Sequence, residues 1–409
     1  MKVLVFTTLY PNHLSPNFGV FVKERMTSFA RWHGHEVMVV APVPYYPPIK
    51  LGARWKYSQI KTREEVEGLE VYHPRYFMTP KVGMSTYGMT MFLSVLPLIK
   101  RIQRKFDFDL IDSHYVYPDG FAAIKLGEHF NKPVVVSARG SDINLFARFP
   151  IIRRLLRHTL AHAEHVIAVC QALKDAMMQL GAPAEKISVI PNGVDASKFY
   201  PRDKEESRRA LNLPEKRIIL SVGELIPRKG FHVLIKALKL CLAQRGVHDL
   251  CLVIVGEGAY RNELEKLIAE LQLEEHVKLV GAQPHAELRR WYSAADYFCL
   301  ASEREGWPNV VLEALACGTP VIATKVWGIP EIITSEAFGI LTNRNEEDLA
   351  QALARAMNTA WNKAALVQYA RERTWEKVAR AVEETFEMAL VSHAAQTCRT
   401  KKEVLEISS

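Results

Sequence analysis

Short aliphatic and β-branched runs recur along this chain, each followed by a turn and an amphipathic stretch. This alternation restricts the fold more than any other feature. Lys2–Thr7, Val37–Ala41, Leu110–Asp112, Lys132–Ser137, His165–Val169 and Lys186–Ile190 read as strands of a first half. Arg217–Val222, Leu252–Gly256, Val277–Gly281, the apolar run ending at Ser302, and Val321–Thr324 repeat the pattern in a second. Most of these runs are apolar throughout rather than alternating, so both faces need cover. That is the mark of a parallel sheet with crossover helices on each side. With 409 residues the chain exceeds one ordinary core, and the pattern restarts after the polar segment Tyr200–Glu206. An α/β fold of two doubly wound, Rossmann-like domains is therefore expected, over 1–197 and 198–374. An amphipathic helix, 375–392, and a disordered tail, 393–409, follow.

Several classes are excluded. No apolar run reaches the roughly 18 residues of a membrane span. Met89–Ile99 carries Pro97 and reads as a core helix, and MKVLVFTTLY reads as a strand rather than a signal peptide. Six scattered cysteines lack metal-ligand spacing and suit reduced thiols in a cytoplasmic protein. Residues 42–90 read as a long loop or small hairpins. Residues 1–200 hold 25 Lys+Arg against 16 Asp+Glu, with clusters at Lys100–Lys105 and Arg153–His158, whereas residues 201–409 hold 28 against 29. The basic half is either two solvated helix faces or a surface for anionic membrane or an acidic acceptor. Nucleic acid is not expected, because no aromatics interleave the basic clusters.

The most informative stretch is Glu303–Pro320, EREGWPNVVLEALACGTP. A strand end is followed by a loop acid, Glu305, and then by a helix opened at Pro308 and stopped by Gly318. The free amides over Gly306–Asn309 make a seat for phosphate. Glu313, about two turns into the helix, would repel phosphate and suits neutral ribose hydroxyls instead. GELIPRKG (Gly223–Gly230) is a second strand-to-helix loop, with Lys229 as a mobile phosphate cation. Gly256 and Gly258 lack the third glycine of a dinucleotide site and suit close packing. No GxGxxG follows the first strand, which counts against an oxidoreductase. His114 and Asp119 lie at a strand end, where open α/β sheets place ligands. Asp107 and Asp109 form a DxD in a helix-to-strand turn and read as solvated, so no metal site is assigned.

Glu305, seven intervening residues and Glu313, within EGWPNVVLEALACGTPVIAT, closely resemble the signature of the retaining family 4 glycosyltransferases of the GT-B fold. The chain is most similar to the subgroup that builds bacterial cell-surface polysaccharides of the teichuronic-acid type. The resemblance implies two domains facing across a cleft, with an N-terminal acceptor domain and a C-terminal donor domain. The final helix would pack back on the first. It implies no cofactor, and transfer from a nucleoside diphosphate sugar, UDP or GDP, to a glycan or lipid-linked acceptor. By resemblance Gly19 approaches the donor diphosphate, Gly281 offers backbone groups to the base, and Glu305, Gly306, Trp307 and Asn309 hold the donor sugar or phosphate. Arg139, in ARGSD, stands where many relatives have His. It cannot act as a base but can stabilise the leaving diphosphate or hold the acceptor with His114, Asp119 and Asp142. A structural Arg139–Asp142 pair is the competing account. Glu224 stands where the family has Arg, so Arg228 beside Lys229 is a substitute. Glu305, Arg139 and Lys229 are the catalytic candidates. Arg139 and Glu224 are the only support for a non-catalytic sugar- or lipid-binding protein on this fold.

Overall fold

The computed structural model describes residues 1–50, 53–79, 83–243 and 249–407. The chain forms two units, Met1–Asn192 with Trp375–Ser409, and Gly193–Thr374. Compact units divide after Asn192, because Val194 already pairs with the end of the second unit. Its N–H donates to the Arg373 carbonyl at 2.8 Å, and it bridges to Thr374.

In unit 1 an eight-stranded sheet runs, from one edge, Ile187–Val189, His165–Ala168, Val134–Ala138, Leu110–His114, Lys2–Phe6, Glu36–Val40, Leu69–Tyr72 and Arg63–Val66. All neighbours are parallel except the last pair, an antiparallel hairpin turned at Glu67-Gly68, both at positive φ. That hairpin lies in the irregular 42–90 region, which also holds a short parallel pair, Val43–Pro44 with Arg75–Tyr76. Strand order reverses between Lys2–Phe6 and Leu110–His114, so the crevice of this sheet opens at Thr7–Leu9 and His114–Tyr115. The buried strands explain why no alternation was visible: Val3, Leu4, Val5 and Phe6 are all inaccessible.

Unit 2 holds six parallel strands in the order Val277–Leu279, Leu250–Val255, Arg217–Val222, Tyr297–Leu300, Val321–Thr324 and Gly339–Thr342. The first strand of the unit lies beside its fourth, the doubly wound order with a switch point between Arg217–Val222 and Tyr297–Leu300. The strand Gly339–Thr342, opened by glycine and only half aliphatic, lacks the pattern that marks the others. The loop Gly223–Gly230 leads into helix Phe231–Leu242.

The last helix, Trp375–Ile407, belongs to unit 1, where Trp375, Val382 and Phe386 join the core under helix Val20–Arg31. The Phe386 ring meets Phe29 edge-on at 5.3 Å. Its removal is worth about 3–5 kcal/mol on the scale of buried aromatics. The helix does not give way to a disordered tail at 393. Ser392, His393 and Gln396 hydrogen-bond Glu164, so the polar sequence continues to be anchored on one side. No helix among the described residues is long and apolar enough to cross a membrane.

Candidate active site

At the unit 2 switch point, glycines let two loops approach closely. A Cβ on Gly256, at φ 151°, would fall 1.8 Å from the Gly223 carbonyl oxygen. One on Gly230, at φ 73°, would fall 1.9 Å from that of Ala301. Both positions exclude side chains, which gives Gly256 the packing role its sequence context suggested. The loops are joined by the Glu303 N–H on the Arg228 carbonyl and the Arg228 guanidinium on the Arg304 carbonyl, each at 2.8 Å.

This stitching sets Lys229 Nζ 2.6 Å from Glu305 Oε1, an oxygen that also accepts from Ser302 Oγ at 2.7 Å. Arg228 Nη1 lies 3.7 Å from the other oxygen. Burial works against the Glu305 carboxylate, but Lys229 and Arg228 together outweigh it and hold its pKa below the ordinary range. Two cations face one buried anion, so the cluster keeps a positive excess beside the start of helix Asn309–Ala316. Gly306, Trp307 and Asn309 follow directly. Trp307 packs on the core with its indole N–H buried and unpaired. Glu224 is exposed and adds no cation here.

Glu313 lies little more than one turn into its helix, not two, because the helix starts at Asn309. Its carboxylate is buried, with Tyr292 Oη donating to Oε2 at 2.8 Å and His285 Nε2 lying 2.9 Å from Oε1. Each oxygen retains a second lone pair, enough for hydroxyl donors arriving from outside. Gly281, at φ 77°, is held by the Gly256 N–H on its carbonyl at 2.9 Å.

In unit 1, Gly19 must be glycine, since a Cβ there would sit 2.5 Å from the Leu9 carbonyl. Asp119 and Asp142 are engaged differently from the expected acceptor contacts. Asp119 Oδ2 accepts from the Thr8 N–H at 2.5 Å and from Thr8 Oγ1 at 2.9 Å. Burial nevertheless raises its pKa to about 7. Asp142 accepts the backbone N–H groups of Gly140, Val116 and Arg139 at 2.8, 2.9 and 3.1 Å. It thus staples the loop after strand Val134–Ala138. It does not pair with the Arg139 guanidinium, which replaces the structural ion-pair account.

The guanidinium instead donates to His114 Nδ1 from Nε at 3.2 Å and to Asn192 Oδ1 from Nη1 at 3.0 Å. His114 is fully buried, so it supports Arg139 rather than facing an acceptor. Its Nε2 lies 3.2 Å from Asp112 Oδ2, which in turn is 3.6 Å from Arg25 Nη2. Burial, ahead of the opposing pull of Asp112, lowers the His114 pKa to about 3. Burial, then Arg25, lowers that of Arg139 to about 9, which leaves it cationic at neutral pH. Sequence reasoning missed Arg25, Asp112, His285, Tyr292 and Ser302. Asp112 and His114 were legible as neighbours on one strand face, two residues apart.

Asp109 accepts the Lys2 N–H at 2.7 Å and Asp107 pairs with Lys132 at 3.0 Å, so the two diverge to separate partners. Among the described residues, metal-ligating atoms converge at His33, His35 and Glu383, where Trp32 also donates to the carboxylate. None of these is a site residue.

Two family models match, Glycosyltransferase Family 4 over residues 19–198 and Glycosyl transferases group 1 over 203–373. A D-inositol 3-phosphate glycosyltransferase of Corynebacterium jeikeium is 31% identical over 303 residues, covering 68% of this chain and 72% of that protein. The chain belongs to the family 4 glycosyltransferases. This family 4 chain is also 29% identical over 385 residues to the amylovoran biosynthesis glycosyltransferase AmsK of Erwinia amylovora, across 87% and 89% of the two. HepE of Anabaena, solved with UDP-glucose, superposes with a TM-score of 0.71 at 21% identity, over 95% of this chain and 99% of that one. The fold is GT-B, and the protein is a glycosyltransferase.

Proposed function

We propose that this glycosyltransferase moves a sugar from a nucleoside diphosphate sugar to an acceptor hydroxyl, with retention, in cell-surface polysaccharide synthesis. The single observation that carries the reading is the Lys229–Glu305 contact at 2.6 Å, with Arg228 alongside, at the unit 2 switch point. A diphosphate arriving there meets two cations and the amides before helix Asn309–Ala316. Glu313, one helical turn further, accepts the ribose hydroxyls, and Glu305 turns toward donor-sugar hydroxyls as phosphate draws Lys229 away. Unit 1 takes the acceptor, with Arg139 as a cation that can hold it. The leaving phosphate accepts the acceptor's proton on the same face, so a second nucleophilic carboxylate is not required. Lys229 and Arg228 carry the charge that a metal would otherwise carry. The UDP-glucose named for HepE and the polysaccharide named for AmsK favour a uridine donor and a glycan acceptor. The excess of Lys and Arg in residues 1–200 favours an acceptor met at an anionic membrane surface.

Incubation with UDP- and GDP-sugars, with and without EDTA, tests the reading. Slow hydrolysis of one donor without acceptor, unaffected by chelator, is expected. No turnover of any donor would favour the non-catalytic sugar-binding alternative. Loss with EDTA and recovery with Mn²⁺ would restore a metal-dependent route.

A further inference from the structure

Away from the crevice of unit 1, three side chains from distant parts of the chain bring their ligand atoms to one point. His33 and His35 flank Gly34 in the turn between helix Val20–Arg31 and strand Glu36–Val40, and Glu383 lies on the last helix. His33 Nδ1 is 3.1 Å and His35 Nε2 2.9 Å from the same carboxylate oxygen, Glu383 Oε1, across 350 and 348 residues. The three ligand atoms lie within 4.8 Å of one another. An ion with bonds of about 2.1 Å holds neighbouring ligands roughly 3.0–3.4 Å apart. Both nitrogen-to-oxygen separations already fall close to that spacing. The gap left between the imidazoles closes by a small swing of the His33 side chain, which is 64% exposed.

Each ligand is also supported from behind, as metal-binding side chains are. The Glu383 carboxylate receives the Trp32 indole N–H on its other oxygen, Oε2, at 2.9 Å. The His35 ring is buried, stacks on Phe29 at 4.5 Å and has the Met1 amine 3.2 Å from its Nδ1. His33 takes φ 52° ahead of Gly34 at φ 67°, and this left-handed pair turns the backbone so that both imidazoles reach one carboxylate. Two imidazoles and one carboxylate select a borderline first-row ion over Mg²⁺ or Ca²⁺, which take oxygen ligands. The exposed side of His33 leaves a fourth position for water.

We propose that His33, His35 and Glu383 form a site for a divalent ion of the zinc type, which clamps the last helix onto unit 1. The site lies at the start of strand Glu36–Val40, whereas the crevice of the sheet opens at the opposite ends of its strands. The ion therefore takes no part in the transfer proposed above. It joins the turn after helix Val20–Arg31 to a helix that the chain reaches only after the whole of unit 2. On binding, it takes the place of the protons that the imidazoles share with Oε1, and these leave to solvent.

The test is calorimetric titration of ZnCl₂ into the untagged, chelator-stripped full chain, with thermal melts of the same samples. One tight equivalent of Zn²⁺ is expected, unmoved by millimolar Mg²⁺. At roughly a hundredfold excess over Kd it should raise the melting temperature of unit 1 by about 5–10 °C. Both effects should disappear in H33Q and in E383Q, with affinity down by more than about 100-fold. W32F, which removes only the outer hydrogen bond, should lose about 10-fold. His33 is exposed, so metal-free H33Q should melt with metal-free wild type and separates loss of the site from loss of the fold. Cu²⁺ bound in place of zinc should show EPR hyperfine coupling to two imidazole nitrogens. No tight equivalent in the wild type would leave a hydrogen-bonded cluster alone and overturn the site. Wild-type affinity in either H33Q or E383Q would place the zinc elsewhere and overturn it equally. Binding lost in both variants, but with no zinc-dependent shift in wild-type melting, would keep the site and overturn the clamp. None of these outcomes depends on turnover of any donor.

Discussion

The Arg139 guanidinium donates to His114 Nδ1 at 3.2 Å, so the imidazole is a neutral acceptor whose remaining proton faces Asp112. The tautomer follows from the partners: a guanidinium can only donate and a carboxylate can only accept. His114 thereby sets the direction of the cation proposed to hold the acceptor. Replacing His114 by Phe is expected to lower kcat at least about tenfold with a smaller change in donor KM, because orientation in the transition state is lost before ground-state binding. Equal kcat in the variant would remove His114 from the positioning of Arg139.

His114 and Asp119 also predict an unusual pH dependence of stability. The folded His114 pKa of about 3 lies below its ordinary 6.5, so the unfolded chain binds the extra proton and stability falls as pH drops below about 6.5. Asp119, at about 7 against an ordinary 3.8, keeps its proton in the fold. Its contribution is present below 3.8 and is lost as pH rises toward 7. Between about pH 4 and 6.5 the two slopes oppose each other, each at most about 1.4 kcal/mol per pH unit. Denaturant titrations across that range should show stability rising more steeply with pH in Asp119→Asn. In His114→Gln it should fall with pH relative to wild type. Parallel profiles for the two variants would contradict the assignment.

Lys229→Ala leaves the Glu305 carboxylate, 9% exposed, with Arg228 at 3.7 Å as its one cationic neighbour among the described residues. Breaking such a pair from one side costs about 3 kcal/mol. Glu305→Gln in the same chain should recover much of that stability, because the unpaired buried charge is gone. It should not recover diphosphate affinity. Calorimetry with UDP and uridine should show a large loss for the diphosphate and little for the nucleoside. Equal losses would make Lys229 structural.

Glu313→Ala is expected to reduce nucleoside affinity by roughly 1.5–3 kcal/mol, as charged acceptors of hydroxyl donors do. It also leaves the buried Tyr292 hydroxyl without its acceptor, so the melting temperature should fall. Glu313→Gln keeps a partner for Tyr292 and separates the two effects. Affinity unchanged in both variants would end the ribose assignment.

The sequence by itself determined the two parallel sheets, because uniformly apolar β-branched runs can only be buried on both faces. It also marked the loop and helix proposed for the donor: glycine, proline and acid spacing around Glu305 and Glu313 reflects local chain geometry, which a sequence records directly. The long-range contacts were decided only in the tertiary structure. Lys229 and Glu305 are 76 residues apart and meet because two loops share a switch point. Arg25 reaches Ser137 across 112 residues, and nothing in either segment announces the other. The roles of buried polar groups followed the same rule. Asp119 and Asp142 read as open ligands at a strand end, yet backbone N–H groups of neighbouring loops claim their oxygens. A carboxylate's partner depends on which donors the fold leaves unsatisfied nearby, and that is settled only when the loops come together.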